Sequence, residues 1–175
     1  MEFQRYSSTA IIFHWLMAVM IISMICLGIY MVDLPKGSDE RSWFFSLHKS
    51  IGLTLALLAI IRLACRMFSK PPPLPSYIPI ALRKLATATH HLLYLLMFIQ
   101  PVSGYISSSF SGYKTQIWGV PLPHWGWEDP DLNKLFTLIH DISAICLGAL
   151  ILLHIAGVIY HVSKKQNEVF RRMWF

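Results

Sequence analysis

The segment HDISAICLGALILLH, residues 140–154, places a histidine at each end of a strongly apolar stretch. Between these histidines only Asp141 is charged, and only Ser143 is otherwise strongly polar. Fourteen helical residues fall roughly 40° short of four full turns, so both imidazoles lie on nearly the same face, about 21 Å apart along the axis. This spacing predicts a helix that holds two groups, one above the other, at two depths.

The composition predicts a membrane protein. The chain has 175 residues, of which 55% are hydrophobic and 14% are charged, and its mean hydropathy is +0.51. Four apolar stretches reach or exceed the roughly 20 residues that a helix needs to cross a bilayer; they lie at about residues 10–32, 45–67, 80–106 and 135–162. We therefore expect one integral-membrane domain over residues 1–175. Its fold class is all-α, a four-helix transmembrane bundle with antiparallel neighbours.

The charge distribution predicts the orientation of this bundle. The formal net charge is +6, but basic residues alternate with the apolar stretches instead of forming one patch. They concentrate before the first stretch, between the second and third, and in the tail. By the positive-inside rule both termini are then cytoplasmic, and no nucleic-acid partner is expected. The tail either only sets this topology or also contacts anionic lipid headgroups. The first stretch is too long for a cleaved signal peptide.

Histidines are the most unusual feature of the apolar stretches. Ionisable groups inside a membrane are costly and mark function by default. Because the helices alternate in direction, His14 and His154 lie at one depth near the cytoplasm, and His48 and His140 share a depth near the periplasm. Two imidazole pairs at two depths are what two stacked haems require, each iron with two axial ligands. Imidazole suits iron, and there is no C-x-x-C-H motif for covalent attachment.

Three further residues lie at the depths of these pairs. Gly28, fourteen residues after His14, and Gly52, one turn after His48, could clear space for a porphyrin or allow close helix packing. Arg62 lies fourteen residues after His48, at about the depth of the inner pair. A haem propionate would pair with a buried arginine there. Alternatively, its side chain reaches the cytoplasmic headgroups.

The remaining histidines have less definite roles. His90 and His91 begin the apolar part of the third helix and compete with His14 for the inner iron, or face a quinone. His161 follows on the ligand face of the fourth helix and either hydrogen-bonds a quinone oxygen or lies at the interface. His124 lies in the longest loop, about residues 107–133, and is expected at the surface. The tryptophans of that loop are placed at the lipid interface or in a lid over a site.

At these residues the chain resembles the bacterial cytochrome b561 family of di-haem membrane cytochromes. The matching motifs are FHWL with His14, LHKSIG with His48, HHLLYLL in the third helix, and LIHDI and LLHIAGVIYH in the fourth. The resemblance covers nearly the whole chain. It implies a multi-pass protein of the bacterial inner membrane with two noncovalent b haems. It also implies the same four ligands, and a quinone site near the cytoplasmic haem to which His161 contributes.

The resemblance favours one function over two others. The expected function is transfer of single electrons from a periplasmic donor, superoxide in some family members, to ubiquinone. Lys49 and Lys134 lie near the outer ligands and would attract an anionic donor. The first alternative is an anchor subunit that passes electrons for a partner dehydrogenase, as in related hydrogenase and formate dehydrogenase subunits. The second is a proton or metal transporter with a histidine relay.

Overall fold

Four long helices make up most of the protein. The computed structural model describes residues 5–68 and 72–174. The helices are α1 (Ser8–Asp33), α2 (Asp39–Phe68), α3 (Ile80–Phe110), α4 (Pro130–Ser163) and the short α5 (Glu168–Arg171). Each of the four long helices is long and apolar enough to cross a membrane. The predicted four-helix transmembrane bundle is therefore confirmed. Lys70 and Pro71, in the proline-rich connection between α2 and α3, lie outside the described residues.

All four helices extend beyond their predicted apolar stretches, because polar residues cap and continue them. The Ser7 side chain accepts a hydrogen bond from the Ala10 amide at the start of α1. At the start of α4, the Asp129 side chain accepts from the amides of Asp131 and Leu132, and Pro130 occupies the first turn. Such caps satisfy amides that have no partner within the helix. The long predicted loop consequently shortens to residues 111–129.

Arg41, near the start of α2, caps the opposite end of α1. Its Nη1 donates to the carbonyl oxygens of Met31 at 3.2 Å, Val32 at 2.8 Å and Leu34 at 2.6 Å. The same guanidinium lies 4.8 Å from the ring centre of Phe45. A cation at this position satisfies the final carbonyls of the helix and opposes the negative end of its dipole. The short turn between α1 and α2 is thereby fixed.

The helices pack as two hairpins. α1 packs along α2, and α3 packs most extensively along α4, while α2 and α3 join the two hairpins. Large apolar side chains point outward: Ile145 is 73% exposed and Leu152 is 70% exposed. Small polar side chains are buried instead, including Ser103 on α3 and Ser143 on α4. This is the arrangement expected when lipid surrounds the bundle and small residues let helices approach.

A short hairpin in the loop between α3 and α4 attaches to α2. Strands β1 (Gln116–Ile117) and β2 (Val120–Pro121) pair antiparallel around Trp118 and Gly119, whose φ angles are 51° and 85°. Positive φ at both turn residues is typical of a tight hairpin, though it is unusual for tryptophan. Two hydrogen bonds hold Trp118 there, from its amide to Ser50 Oγ at 3.0 Å and from its indole to Thr54 Oγ1 at 3.1 Å.

The chain topology gives the bundle two distinct ends. The terminal end contains residues 5–7, 72–79 and 164–174, and the loop end contains residues 34–38 and 111–129. At the terminal end the tail folds back over the helices. The Trp15 indole donates to the Met173 carbonyl at 2.7 Å, and the Tyr6 amide donates to the Arg172 carbonyl at 3.2 Å. The Arg172 guanidinium in turn donates to the carbonyls of Pro72 and Pro73.

Candidate functional site

Two pairs of imidazoles face each other between the hairpins. Nearer the terminal end, the ring centres of His14 on α1 and His154 on α4 are 6.1 Å apart. Nearer the loop end, those of His48 on α2 and His140 on α4 are 6.2 Å apart. The structure thus brings together the same residues that the sequence pairs by depth. All four side chains are half-buried.

These separations suit one metal ion between two imidazoles. With a metal–nitrogen bond of about 2.0 Å and about 1.15 Å from that nitrogen to the ring centre, imidazoles on opposite sides of one metal place their ring centres about 6.3 Å apart. Both pairs lie within a few tenths of an ångström of this value. Within residues 5–68 and 72–174 there is no group of three or more histidine, cysteine or carboxylate side chains arranged to hold a bare metal ion. Each pair offers the two imidazoles that a bis-histidine haem takes from its protein.

His90 is the third imidazole near the terminal end. Its ring centre is 5.2 Å from that of His154. This distance is about 1 Å too short for two ligands on opposite sides of one metal. His14 is therefore the better partner for His154, and His90 lies beside this pair. His91 is exposed.

Hydrogen bonds from α3 orient His140. Its Nδ1 lies 2.9 Å from the backbone carbonyl of Gln100, and since a carbonyl only accepts, this nitrogen carries the proton. Nε2 is then the acceptor and lies 3.1 Å from the side-chain amide nitrogen of Gln100. Ser143 holds that amide by donating to its oxygen. Metal-binding histidines commonly donate their second N–H to a carbonyl in this way, so His140 has the tautomer that a ligand needs, and the Gln100 amide must release Nε2 before that nitrogen can bind a metal.

Gly104 provides the space for the His140 ring. A Cβ at this position would lie 2.9 Å from His140 Cε1 and 3.0 Å from Nδ1, closer than side chains normally approach. Neither Gly104 nor Gln100 is among the sites that the sequence predicts. The available signal is an amide and a glycine four residues apart, within the apolar run of α3.

The two predicted glycines lie beside different neighbours. A Cβ on Gly28 would lie 3.5 Å from His48 Cε1, which is an ordinary contact next to the outer pair. A Cβ on Gly52 would instead meet the Met24 methyl group at 3.6 Å. Nδ1 of His48 is buried and has no hydrogen-bond partner in the part of the chain that the structure describes. Buried polar atoms nearly always have a partner, so this nitrogen requires one that the described residues do not supply.

Arg62 contacts the inner pair directly. Its Nη2 lies 3.2 Å from His14 Nδ1, and its Nη1 donates to the Ala10 carbonyl at 3.2 Å. A guanidinium only donates, so Nδ1 of His14 accepts and Nε2 carries the proton. An axial ligand needs a free electron pair on the nitrogen that binds the metal. Arg62 must therefore release His14 before His14 Nε2 can act as a neutral ligand.

The remaining predicted residues lie around the two pairs. His161 is half-buried and donates from Nδ1 to the Gln166 side-chain oxygen at 2.6 Å. Lys49 is half-buried beside His48, and Lys134 is exposed in the first turns of α4. His124 is exposed, as expected from its loop position, and its Nδ1 lies 3.2 Å from the Ser109 carbonyl oxygen.

Comparison with known proteins gives consistent matches along the chain. A family model described as prokaryotic cytochrome b561 matches residues 5–175. The chain is 41% identical over 130 residues to cytochrome b561 homolog 2 of Escherichia coli strain K12. That match covers 72% of this chain but only 63% of the relative, less than two thirds of its length. Cytochrome b561 homolog 1 of the same organism is 26% identical over 178 aligned positions, which cover 97% of each protein.

Proposed function

The chain belongs to the prokaryotic cytochrome b561 family of bacterial multi-pass membrane proteins, and from that premise we propose that it holds two b haems and carries single electrons across the membrane to ubiquinone. Family membership itself implies a b-type haem and electron transfer. The finer proposal has His14 and His154 as ligands of the inner haem, and His48 and His140 as ligands of the outer one.

The observation that carries this proposal is the equal spacing of the two pairs. The ring centres are 6.1 Å apart in the inner pair and 6.2 Å apart in the outer pair, and each pair spans the space between the two hairpins. This geometry suits two separate bis-histidine centres. A histidine relay for protons or metal ions would not require two matched pairs separated by four helical turns. The haem, when bound, supplies reversible one-electron chemistry at iron.

The protein's own residues would position the cofactors and shape both approaches. The Gln100 carbonyl keeps the proton of His140 on Nδ1, and Gly104 leaves room for its ring. Arg62 would turn from His14 to a propionate carboxylate, since a partly buried guanidinium favours an anion over a neutral ring. Gly28 would let a cofactor approach the outer pair closely. At Gly52 the contact with Met24 favours helix packing instead.

The direction of transfer follows from the orientation of the bundle. We propose that the terminal end is cytoplasmic, because the basic connection and tail lie there. The outer pair then faces the periplasm, where Lys49 and Lys134 would attract superoxide, a small anionic one-electron donor. Ubiquinone would accept the electron near the inner pair, and His161 would turn its Nδ1–H from the Gln166 side-chain oxygen to a quinone oxygen.

Haem content tests the ligand assignment. We expect about two b haems per chain in the purified protein and about one in both His140→Ala and His154→Ala, because each substitution removes a ligand from only one pair. His91→Ala is the matched control and should retain both haems, since that ring is exposed. If His90→Ala lost the inner haem while His14→Ala retained it, the inner ligand would be His90. A wild-type protein without haem absorption would refute the proposal.

Electron transfer is tested separately with the haem-loaded protein. Stopped-flow mixing with superoxide should reduce the haems at a rate that can be followed, and added ubiquinone should reoxidise them. If superoxide did not reduce the haems but another periplasmic donor did, superoxide would be excluded as the donor and the haem assignment would stand. Failure of ubiquinone to reoxidise the reduced protein would exclude the proposed acceptor.

A further inference from the structure

A cationic cavity opens at the terminal end of the bundle. It has a volume of about 190 Å³ and lies between α1, α2, α3 and the folded-back tail. Three arginines line it, Arg5, Arg62 and Arg66, together with the hydroxyl-bearing side chains Tyr6, Ser7 and Tyr94. No aspartate or glutamate lines the cavity among residues 5–68 and 72–174. The haem ligands do not line it either, although Arg62 links it to His14.

The three guanidinium groups are held in place by neutral partners. Arg5 donates to the Trp174 carbonyl at 2.6 Å, and the Arg66 guanidinium lies 5.6 Å from the Tyr94 ring centre. Arg62 contacts a carbonyl and an imidazole. Within residues 5–68 and 72–174, these contacts fix the positions of the charges and are all made to uncharged groups. When Arg62 pairs with a haem propionate, as the proposed function has it, Arg5 and Arg66 remain, and two positive charges around one partly enclosed space favour a further anion with several oxygen atoms.

We propose that this cavity binds the phosphate of an anionic phospholipid headgroup. Arginine matches phosphate with two parallel hydrogen bonds, and the hydroxyl groups of Ser7 and Tyr6 add further donors. The cavity lies at the terminal end of the bundle, where Tyr6 and Ser7 precede α1 and Arg66 belongs to the last turn of α2, and such helix ends lie near the headgroups. Anionic lipids attract basic residues in this region. Met173 and Pro72 also line the cavity, so the tail and the connection between α2 and α3 contribute to its walls.

Binding of phosphatidylglycerol to the delipidated, haem-loaded protein tests the proposal. Native mass spectrometry at 0.3 M salt should show one phosphatidylglycerol bound with higher affinity than the others, and phosphatidylcholine should not replace it. Arg66→Gln should weaken this first binding step about 10- to 100-fold, the factor expected from the loss of one charge-assisted pair. Arg66 is chosen because Arg62 also contacts the inner histidine pair.

Lys164→Gln is the matched control. It removes one positive charge from the same end of the bundle, but Lys164 is exposed and does not line the cavity. At this salt concentration its effect should stay within about threefold, because exposed charges are screened. Equal effects of Arg66→Gln and Lys164→Gln would overturn the proposal, as would binding without a distinct first lipid.

Two further readouts identify the source of the anion. Glycerol phosphate at millimolar concentration should not displace the lipid; displacement would mean that the cavity takes soluble phosphate esters, and the lipid assignment would be wrong. Haem content should be unchanged in Arg66→Gln. Loss of one haem from this variant would show that the cavity holds a haem propionate, which also overturns the proposal but leaves the di-haem function standing.

Discussion

Replacing Gly104 with alanine should weaken binding of the outer haem and leave the inner one in place. The added Cβ would lie 2.9 Å from Cε1 and 3.0 Å from Nδ1 of His140, where ordinary contacts are roughly 0.5 Å longer or more. Without haem the ring can rotate away from the methyl group. With haem the iron fixes the ring, so the strain falls on the loaded form.

The size of the effect follows from the overpacking. Inserting one methyl group into a tightly packed site costs about 1–3 kcal/mol. Because about 1.4 kcal/mol corresponds to a factor of ten, the affinity for the outer haem should fall about 5- to 140-fold. Displacing the ring would also lengthen the 2.9 Å hydrogen bond from His140 Nδ1 to the Gln100 carbonyl. A change in the redox potential of the outer haem should therefore accompany the lower affinity.

The assay uses a His154→Ala background, in which only the outer haem should remain. Apoprotein in detergent is titrated with haem, and the rise of the Soret band gives the dissociation constant. Gly148→Ala, on α4, is the control because a Cβ there would meet no atom within 4 Å. Gly28→Ala should have a small effect, since its Cβ would make an ordinary 3.5 Å contact with His48. Equal haem affinity in the Gly104→Ala and Gly148→Ala proteins would refute the reasoning.

Three other substitutions test separate parts of the structure. Arg41→Ala should lower the free energy of unfolding by about 1–2 kcal/mol, because the last carbonyls of α1 lose their donor. Unfolding in detergent, followed by circular dichroism, measures this change. An equal loss of stability in Lys36→Ala would contradict the prediction. Charge reversal at Lys49 or Lys134 should slow haem reduction by superoxide about three- to tenfold in stopped-flow, with less effect at high salt and none on reoxidation by ubiquinone. His161→Ala should keep both haems but slow reoxidation by subsaturating ubiquinone about fivefold, the value of one lost hydrogen bond; unchanged turnover would exclude this role.

The depth of each histidine could be predicted from sequence because depth depends only on local properties. Hydropathy gives the helix limits, and alternating direction then assigns each residue a height in the membrane. His14 and His154 are 140 residues apart in the chain, yet both heights follow without any knowledge of packing. The structure brings their ring centres to 6.1 Å.

Rotation about the helix axes could not be predicted in the same way. Gly52 lies one turn from His48, yet it faces Met24. Gln100 and Gly104 both contact His140, but the sequence alone does not place them next to it. Which face of α3 meets α4 depends on contacts between distant parts of the chain. The cationic cavity is even harder to predict from sequence. The tail encloses it through hydrogen bonds between residues far apart in the chain, such as that from Trp15 to Met173, 158 residues apart.

The placement of one histidine from each pair on α4 fixes the gap between the two centres by covalent spacing. Fourteen residues of a continuous helix set about 21 Å, whatever α1 and α2 do on thermal timescales. Movement of α1 or α2 would alter the geometry of one histidine pair without changing the axial distance between His140 and His154. A one-residue insertion between His140 and His154, by contrast, would turn one ring by about 100° relative to the other. Such insertions in α4 should be tolerated far less than insertions in the loop at residues 111–129.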